Sequence, residues 1–174
     1  MATYPDLLSW CVRVGALSPA QAERLQDAAR SRPRDADAAL SRAHALRAAV
    51  QALFTDIAGD GASVSRRWSD LHPFVIDAVA HAQVVAGDVG YDVAWPGTDE
   101  LHAMLWPVAH SAVDLLTGPD VLRVKLCAGC PWLFLDRSRN GSRRWCAMND
   151  CGTHAKIRRY VARRAALRGT PASP

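Results

Sequence analysis

Cys127-Ala128-Gly129-Cys130, fifteen intervening residues, then Cys146-Ala147-Met148-Asn149-Asp150-Cys151 is the stretch on which the reading of this chain turns. Two cysteines separated by two residues on a tight turn aim both sulfurs at one point, the knuckle that opens many zinc sites. Gly129 suits that turn because glycine takes positive φ at little cost. Between the pairs, Trp132-Leu133-Phe134-Leu135 reads as an outgoing strand, Arg137 to Ser142 as a turn around Asn140-Gly141, and Arg143-Arg144-Trp145 as the returning strand. The second pair then falls at the start of a helix expected from about Asn149 to Arg168. Knuckle, hairpin and helix with ligands in its first turn make a treble clef. Four protein thiolates leave no coordination position for water, so Zn2+ held by Cys127, Cys130, Cys146 and Cys151 is expected to be structural, not catalytic. Such a centre carries a net charge of −2, and Lys125, Arg143, Arg144 and the helix N-terminus are expected around it. His154 could compete as a ligand, but no fifth donor is needed and a solvent- or phosphate-facing role is expected. The bland alternative is four reduced cysteines in a small core, which this segment is short to build alone.

Charge divides at the same place. Residues 121–174 carry 12 Lys+Arg against 2 Asp+Glu, net +10, while residues 1–120 carry 9 against 15, net −6; together they give the overall +4. An acidic body with a strongly basic tail points to a polyanionic partner for the tail. The 49% hydrophobic and 22% charged composition of the 174 residues excludes wholesale disorder. No apolar run reaches the ~20 residues of a membrane helix, and no basic-then-apolar leader follows Met1, so no membrane association is expected and the cytoplasm is the default location. There, a cysteine cluster reads as a metal site before it reads as disulfides.

The body reads as mainly helical. Leu7, Leu8, Cys11 and Val14 share one helix face that Gly15 closes. Ser18-Pro19-Ala20-Gln21 is a capping-box start for a second helix running to about Arg32, before Pro33. From Asp35, apolar residues recur at three and four positions through Leu40, Ala43, Leu46, Val50, Leu53, Phe54 and Ile57, with Gly59-Asp60-Gly61 as the stop. Ser65 to Leu71 is expected as a short helix ending near Pro73. Ala80 to Ala86 and Tyr91 to Trp95 are expected to pair as a hairpin around Gly87-Asp88-Val89-Gly90. Thr98 with Asp99 and Glu100 marks a helix N-terminus, with a kink at Pro107 and a stop at Gly118-Pro119. The fold class is therefore α+β: a helical N-terminal domain with a β-hairpin over 1–120, and a treble-clef module over 121–174.

Arg137, Arg139, Arg143 and Arg144 crowd the hairpin with Asn140, and Lys156, Arg159 and Arg163 recur along one side of the last helix, leaving Ile157, Val161 and Leu167 to pack inward. Guanidinium groups grip phosphates through two parallel charge-assisted hydrogen bonds. These residues are the candidate nucleic-acid contacts, with duplex DNA the expected partner. The rival is a solvated basic face, or one that docks on the acidic body. Trp132, Phe134 and Trp145 are expected to form the finger's small core. An RNA- or protein-binding module is the functional alternative, since the fold does not choose the partner. His44, His72, His81, His102 and His110 come without H-E-x-x-H, G-x-S-x-G or a glycine-rich phosphate loop, and no enzyme is expected. His102 and His110 are expected two turns apart on one helix. Arg47, projecting from an otherwise apolar helix side, is the candidate ligand-contacting or buried ion-paired group.

The run Cys127-Ala128-Gly129-Cys130, Leu133 to Met148, Cys151-Gly152 resembles the CGNR zinc finger, which in bacterial proteins follows an N-terminal ABATE domain. The segment around Ala43-His44-Ala45-Leu46-Arg47, the hairpin and the helix ending Ala112-Val113-Asp114-Leu115-Leu116 are similar to that domain in order and character. The resemblance implies a treble-clef DNA-binding finger, a structural zinc ion, a body that binds a small-molecule effector, and a role in stress-induced transcription regulation; a homodimer is compatible with it. Where the family has Cys-Gly-Asn-Arg, this chain has Cys151-Gly152-Thr153-His154, which keeps the ligands and loses an asparagine and an arginine. The family also usually opens with a strand-like segment ahead of the first helix, which is not read here.

Overall fold

The computed structural model describes residues 1–59, 64–95 and 97–168, the last three as backbone only. Helix α1 (Tyr4–Arg13) is opened by a reciprocal Thr3–Asp6 capping box, and Gly15, at φ +79°, turns the chain out of it. Helix α2 (Pro19–Ser31) has the expected box: the Gln21 N–H donates to Ser18 Oγ at 3.3 Å and the Ser18 N–H to Gln21 Oε1 at 2.8 Å. Pro33 does more than end α2. It is the first residue of α3 (Pro33–Ala58), two positions ahead of the expected start, because a first-turn proline has no helical hydrogen bond to lose. Small residues line the buried side of α3, which inserts Ala36, Ala39, Ala43, Leu46, Ala49, Leu53 and Phe54 into the core. Of the expected stop, Gly59 caps the helix, while Asp60 and Gly61 lie outside the described residues.

Two helices differ from expectation, and proline position explains both. Helix α4 (Val64–Ala80) runs through Pro73 instead of stopping there. The missing N–H leaves one carbonyl unpaired, but Leu71 and Ala78 are fully buried and Phe74 and Val75 pack on the core, so burial outweighs the lost bond. Helix α5 (Leu105–Thr117) begins seven residues after Thr98; residues 101–104 form turns, and the Thr98 hydroxyl accepts the Glu100 N–H at 3.2 Å within a local turn. Pro107 therefore sits in the first turn of α5, where it costs no hydrogen bond.

Strands β1 (Gln83–Ala86) and β2 (Tyr91–Ala94) pair antiparallel as expected, Val84 opposite Val93, and contribute nothing to the core. After α5, a 3-10 turn over Pro119–Arg123 leads into β3 (Val124–Leu126), which pairs antiparallel with β4 (Leu133–Leu135), Val124 opposite Leu135. The expected hairpin is thus replaced: Arg143-Arg144-Trp145 does not form the returning strand, and the knuckle itself is the turn between paired strands. Asp136 takes the Arg143 N–H, so that backbone donor is spent on a side chain and not on a ladder. Val124 is buried in the same core as the helices, Leu133 and Leu135 pack against it, and α3 lies against both strands. A π-turn over Met148–Gly152 precedes α6 (Thr153–Arg168).

Helix α6 overturns a packing expectation. Ile157 and Val161, expected to face inward, are 54% and 59% exposed, because among the described residues α6 packs chiefly against its own preceding turn. The side chain of Leu167 lies outside the described residues. Among the described residues no helix is long and apolar enough to cross a membrane. The architecture is α+β, helices first and a small cysteine-bearing β–helix unit last.

Candidate metal centre and basic surface

The knuckle is built by backbone hydrogen bonds. The Cys127 N–H donates to the Trp132 carbonyl at 2.9 Å and the Ala128 N–H to the Arg144 carbonyl at 2.8 Å. Gly129 is favoured, though not for its φ, which is not positive: a Cβ there would lie 3.2 Å from Cys151 Cβ and 3.6 Å from its sulfur, a tight approach. The glycine lets the knuckle approach the fourth cysteine. Gly141, at φ +57°, does take the left-handed conformation expected of the Asn140-Gly141 turn.

All four sulfurs lie within 4.8 Å of one another, with Cys130 and Cys146 at 3.6 Å and Cys146 and Cys151 at 3.8 Å. Sulfurs placed ~2.3 Å from a tetrahedral Zn2+ would be separated by about 3.8 Å. None of the four is in a disulfide. Burial tends to raise the Cys127 thiol, but N–H groups of Cys146 at 3.3 Å and Gly129 at 3.4 Å pull it below its usual value. Cys151 is pushed upward by the Cys130 thiol and by burial, and Cys146 by burial and its neighbouring thiols. Four sulfurs this close cannot all carry charge without a cation among them, and a soft divalent ion is what the donor set fits.

The expected cationic ring is only partly there. Lys125 turns away to Asp136, its Nζ 2.9 Å from Oδ2, and also donates to the Gly141 carbonyl. Arg144 lies over the Trp145 ring. Arg143 donates through Nη2 to the Cys146 carbonyl at 2.6 Å and sits 5.1 Å above the Phe134 ring. His154 is exposed with Nδ1 3.2 Å from Asp150, and the Thr153 hydroxyl donates to the Met148 carbonyl at 3.1 Å, so both departures from the family motif make local bonds at the root of α6. Trp132 is 63% exposed, not core, while Phe134 and Trp145 are half-buried.

Asp136 is the residue that sequence reasoning passed over. It is fully buried, and its carboxylate accepts from the Ser138 hydroxyl at 2.6 Å, the Ser138 N–H at 3.1 Å, Lys125 and the Arg143 N–H at 2.9 Å. The Ser138 hydroxyl and Lys125 hold its carboxyl well below the usual range against the opposing effect of burial. Its signal was a lone acid in a basic run. Around this anchor Arg137, Arg139, Asn140, Arg143 and Arg144 are exposed, as are Lys156, Arg159 and Arg163 on α6. Asp136 is held within the tail by Lys125, exposed Asp150 lies 3.2 Å from His154 Nδ1, and none of these arginines is in an ion pair among the described residues.

In the body, Arg47 is neither buried nor ion-paired: it is exposed, with its guanidinium 5.9 Å from the Trp132 ring of the finger. On α3 the ion-paired arginine is Arg42, one and a half turns earlier, whose Nη2 donates to Asp77 at 2.9 Å beneath the Phe74 ring. Asp77 also accepts the Trp106 indole N–H at 3.0 Å and faces His81 and His102 at 3.5 and 3.6 Å. Burial tends to raise the Asp77 carboxyl, but Trp106 and Arg42 hold it below its ordinary value. His81 stacks on Trp106 at 4.1 Å, and His102 lies in the turn before α5 and so does not share a helix with His110. A groove of about 630 Å³ between α1 and α2, lined by Leu8, Val12 and Ala22, and a cavity of about 210 Å³ beside Trp95, Met104 and Pro107 are concave features of the body; Arg47 lines neither.

Comparison with curated proteins found no match. The family model described as Putative stress-induced transcription regulator, named ABATE, matches residues 1–119, and that of the CGNR zinc finger matches residues 123–164. With more than half its length matched by the first and its four clustered cysteines inside the second, the chain belongs to the ABATE family and carries a CGNR zinc finger.

Proposed function

We propose that the protein is a zinc-dependent, DNA-binding transcription regulator. Cys127, Cys130, Cys146 and Cys151 would hold a structural Zn2+, which fixes the basic loop and the root of α6 relative to each other. Arg137, Arg139, Asn140, Arg143, Arg144, Lys156, Arg159 and Arg163 are the contacts to duplex DNA. The observation that carries this reading is that these cations are exposed and, among the described residues, free of ion pairs, while Asp136 is held by Lys125. A surface built to dock on the acidic body would instead have met carboxylates. Among the polar groups of the body, Asp77 and its partners engage one another and serve packing, so the reading includes no enzymatic step. An effector acting on the body would reach the finger through α3, which sets Arg42 against Asp77 and Arg47 against Trp132. A homodimer would present two fingers to successive half-sites. The cytoplasm of a bacterial cell is where such a regulator meets its DNA.

The test is fluorescence anisotropy of the zinc-loaded protein on labelled duplex DNA. If four of the seven cationic contacts reach phosphates, affinity falls about a hundredfold between 50 and 200 mM salt. A flat salt dependence would sink the electrostatic docking. Exposure of Trp132 and Tyr160, 63% and 59%, favours the alternative of an RNA-binding module, in which unpaired bases would stack on these rings in place of Arg47 and Arg164. Stronger competition by single-stranded RNA than by duplex DNA would select that alternative.

A further inference from the structure

Helix α6 shows apolar side chains that stay exposed among the described residues. Ile157, Tyr160 and Val161 are 54%, 59% and 59% exposed, and at about 100° per residue they share one side of the helix. Lys156, Arg159 and Arg163 run along one flank of this stripe and Arg158 stands on the other. The described stripe is one and a half turns long, and Arg164, the next residue on that side, interrupts it with its guanidinium 5.5 Å from the Tyr160 ring. Leaving three such side chains in water forgoes burial that an occupant outside this chain would recover.

Charge decides which. A second copy of α6 would bring Lys156, Arg158, Arg159, Arg163 and Arg164 against the same five cations, with no acid anywhere in the helix to offset them. A lipid surface needs a longer unbroken apolar face than one interrupted by Arg164 after three residues. The major groove of B-DNA, about 12 Å wide, admits a helix, places phosphates on both flanks, and offers one apolar group on its floor, the C5 methyl of thymine. We infer that the Ile157–Tyr160–Val161 side of α6 reads thymine methyl groups in the major groove, so that these residues set base preference while the flanking arginines hold the backbone. The inference rests on the DNA binding proposed above. Cys151, buried two residues ahead of α6, ties the helix root to the cysteine cluster and so fixes which side faces the groove.

The test starts from selection of a random duplex library by the full-length zinc-loaded protein, followed by titration of the selected duplex and of the same duplex with deoxyuridine replacing thymine. Thymine enrichment is expected, with a three- to fivefold loss of affinity for each contacted methyl removed. Ile157→Ser and Val161→Ser, both at exposed positions, should bring the two duplexes to equal affinity while binding to the uracil duplex stays within twofold of the parent. Equal binding of both duplexes by the parent protein, or discrimination that survives both substitutions, would overturn the inference with DNA binding intact. Failure to bind either duplex at low salt would instead overturn the function proposed above. Binding to phosphatidylserine vesicles in preference to the selected duplex, or a dimer abolished by Ile157→Ser, would assign the stripe to another occupant and also overturn it.

Discussion

Asp136 ties three parts of the finger with one carboxylate: β3 through Lys125, the start of the basic loop through Ser138, and its end through Arg143. An arginine-rich loop repels itself, and an acid at its centre offsets part of that repulsion. Because the carboxyl is held below its ordinary range, its contribution is complete above about pH 4 and is lost only as the pH falls through the lowered value. Asp136→Asn keeps the shape, loses the charge and leaves Lys125 facing an amide. The expected result is DNA binding weakened about tenfold with zinc content unchanged, since no cysteine is touched. Zinc release with a metallochromic dye, run beside the DNA titration, separates the two; unchanged DNA affinity would mean the loop needs no anchor.

Among the elements, α3 connects most of the molecule. It packs against α1, α2, α4 and α5 and also against β3 and β4 of the finger. Two kinds of contact join it to the finger, and they differ in strength. Arg47 over Trp132 is an exposed cation–aromatic pair, worth under about 1 kcal/mol. Val124 is 8% exposed, and trimming it to alanine removes two buried methyl groups, about 2 kcal/mol. Urea unfolding followed by helical circular dichroism should therefore rank Val124→Ala well below Arg47→Ala in stability. The reverse order would show that the aromatic contact, not the strand, holds the finger to the body. Proline placement teaches the same lesson in α4 and α5: each proline is tolerated where its missing N–H is either outweighed by burial or was never needed.

For the whole molecule, the shared core means that metal and body are not independent. Structural zinc supplies about 10–16 kcal/mol to small fingers, so chelation should unfold the segment from about residue 121 onward. Val124, Leu133 and Leu135 would then leave the core they share with the helices, at a cost of about 3 kcal/mol. Treatment with a strong chelator should keep most of the helical signal yet lower the melting temperature of the remaining body by about 10 °C. A body whose melting is indifferent to the metal would refute the shared core.

The sequence by itself carried the cysteine quartet, the α+β order of elements, the first three helices with the capping box of the second, and the reversal of charge, because each is written in local spacing: two residues between ligands, three or four between apolar positions, a hydroxyl three residues before a glutamine. Cys127 and Cys130 had to point together whatever surrounded them. Tertiary structure alone decided that β4 pairs with β3 and not with Arg143–Trp145, that Arg42 and not Arg47 is the ion-paired arginine of α3, that α4 passes Pro73, and that Ile157 and Val161 face outward. Each of these turns on which remote surface reaches a side chain first, a competition between distant partners that spacing along one strand of sequence does not encode.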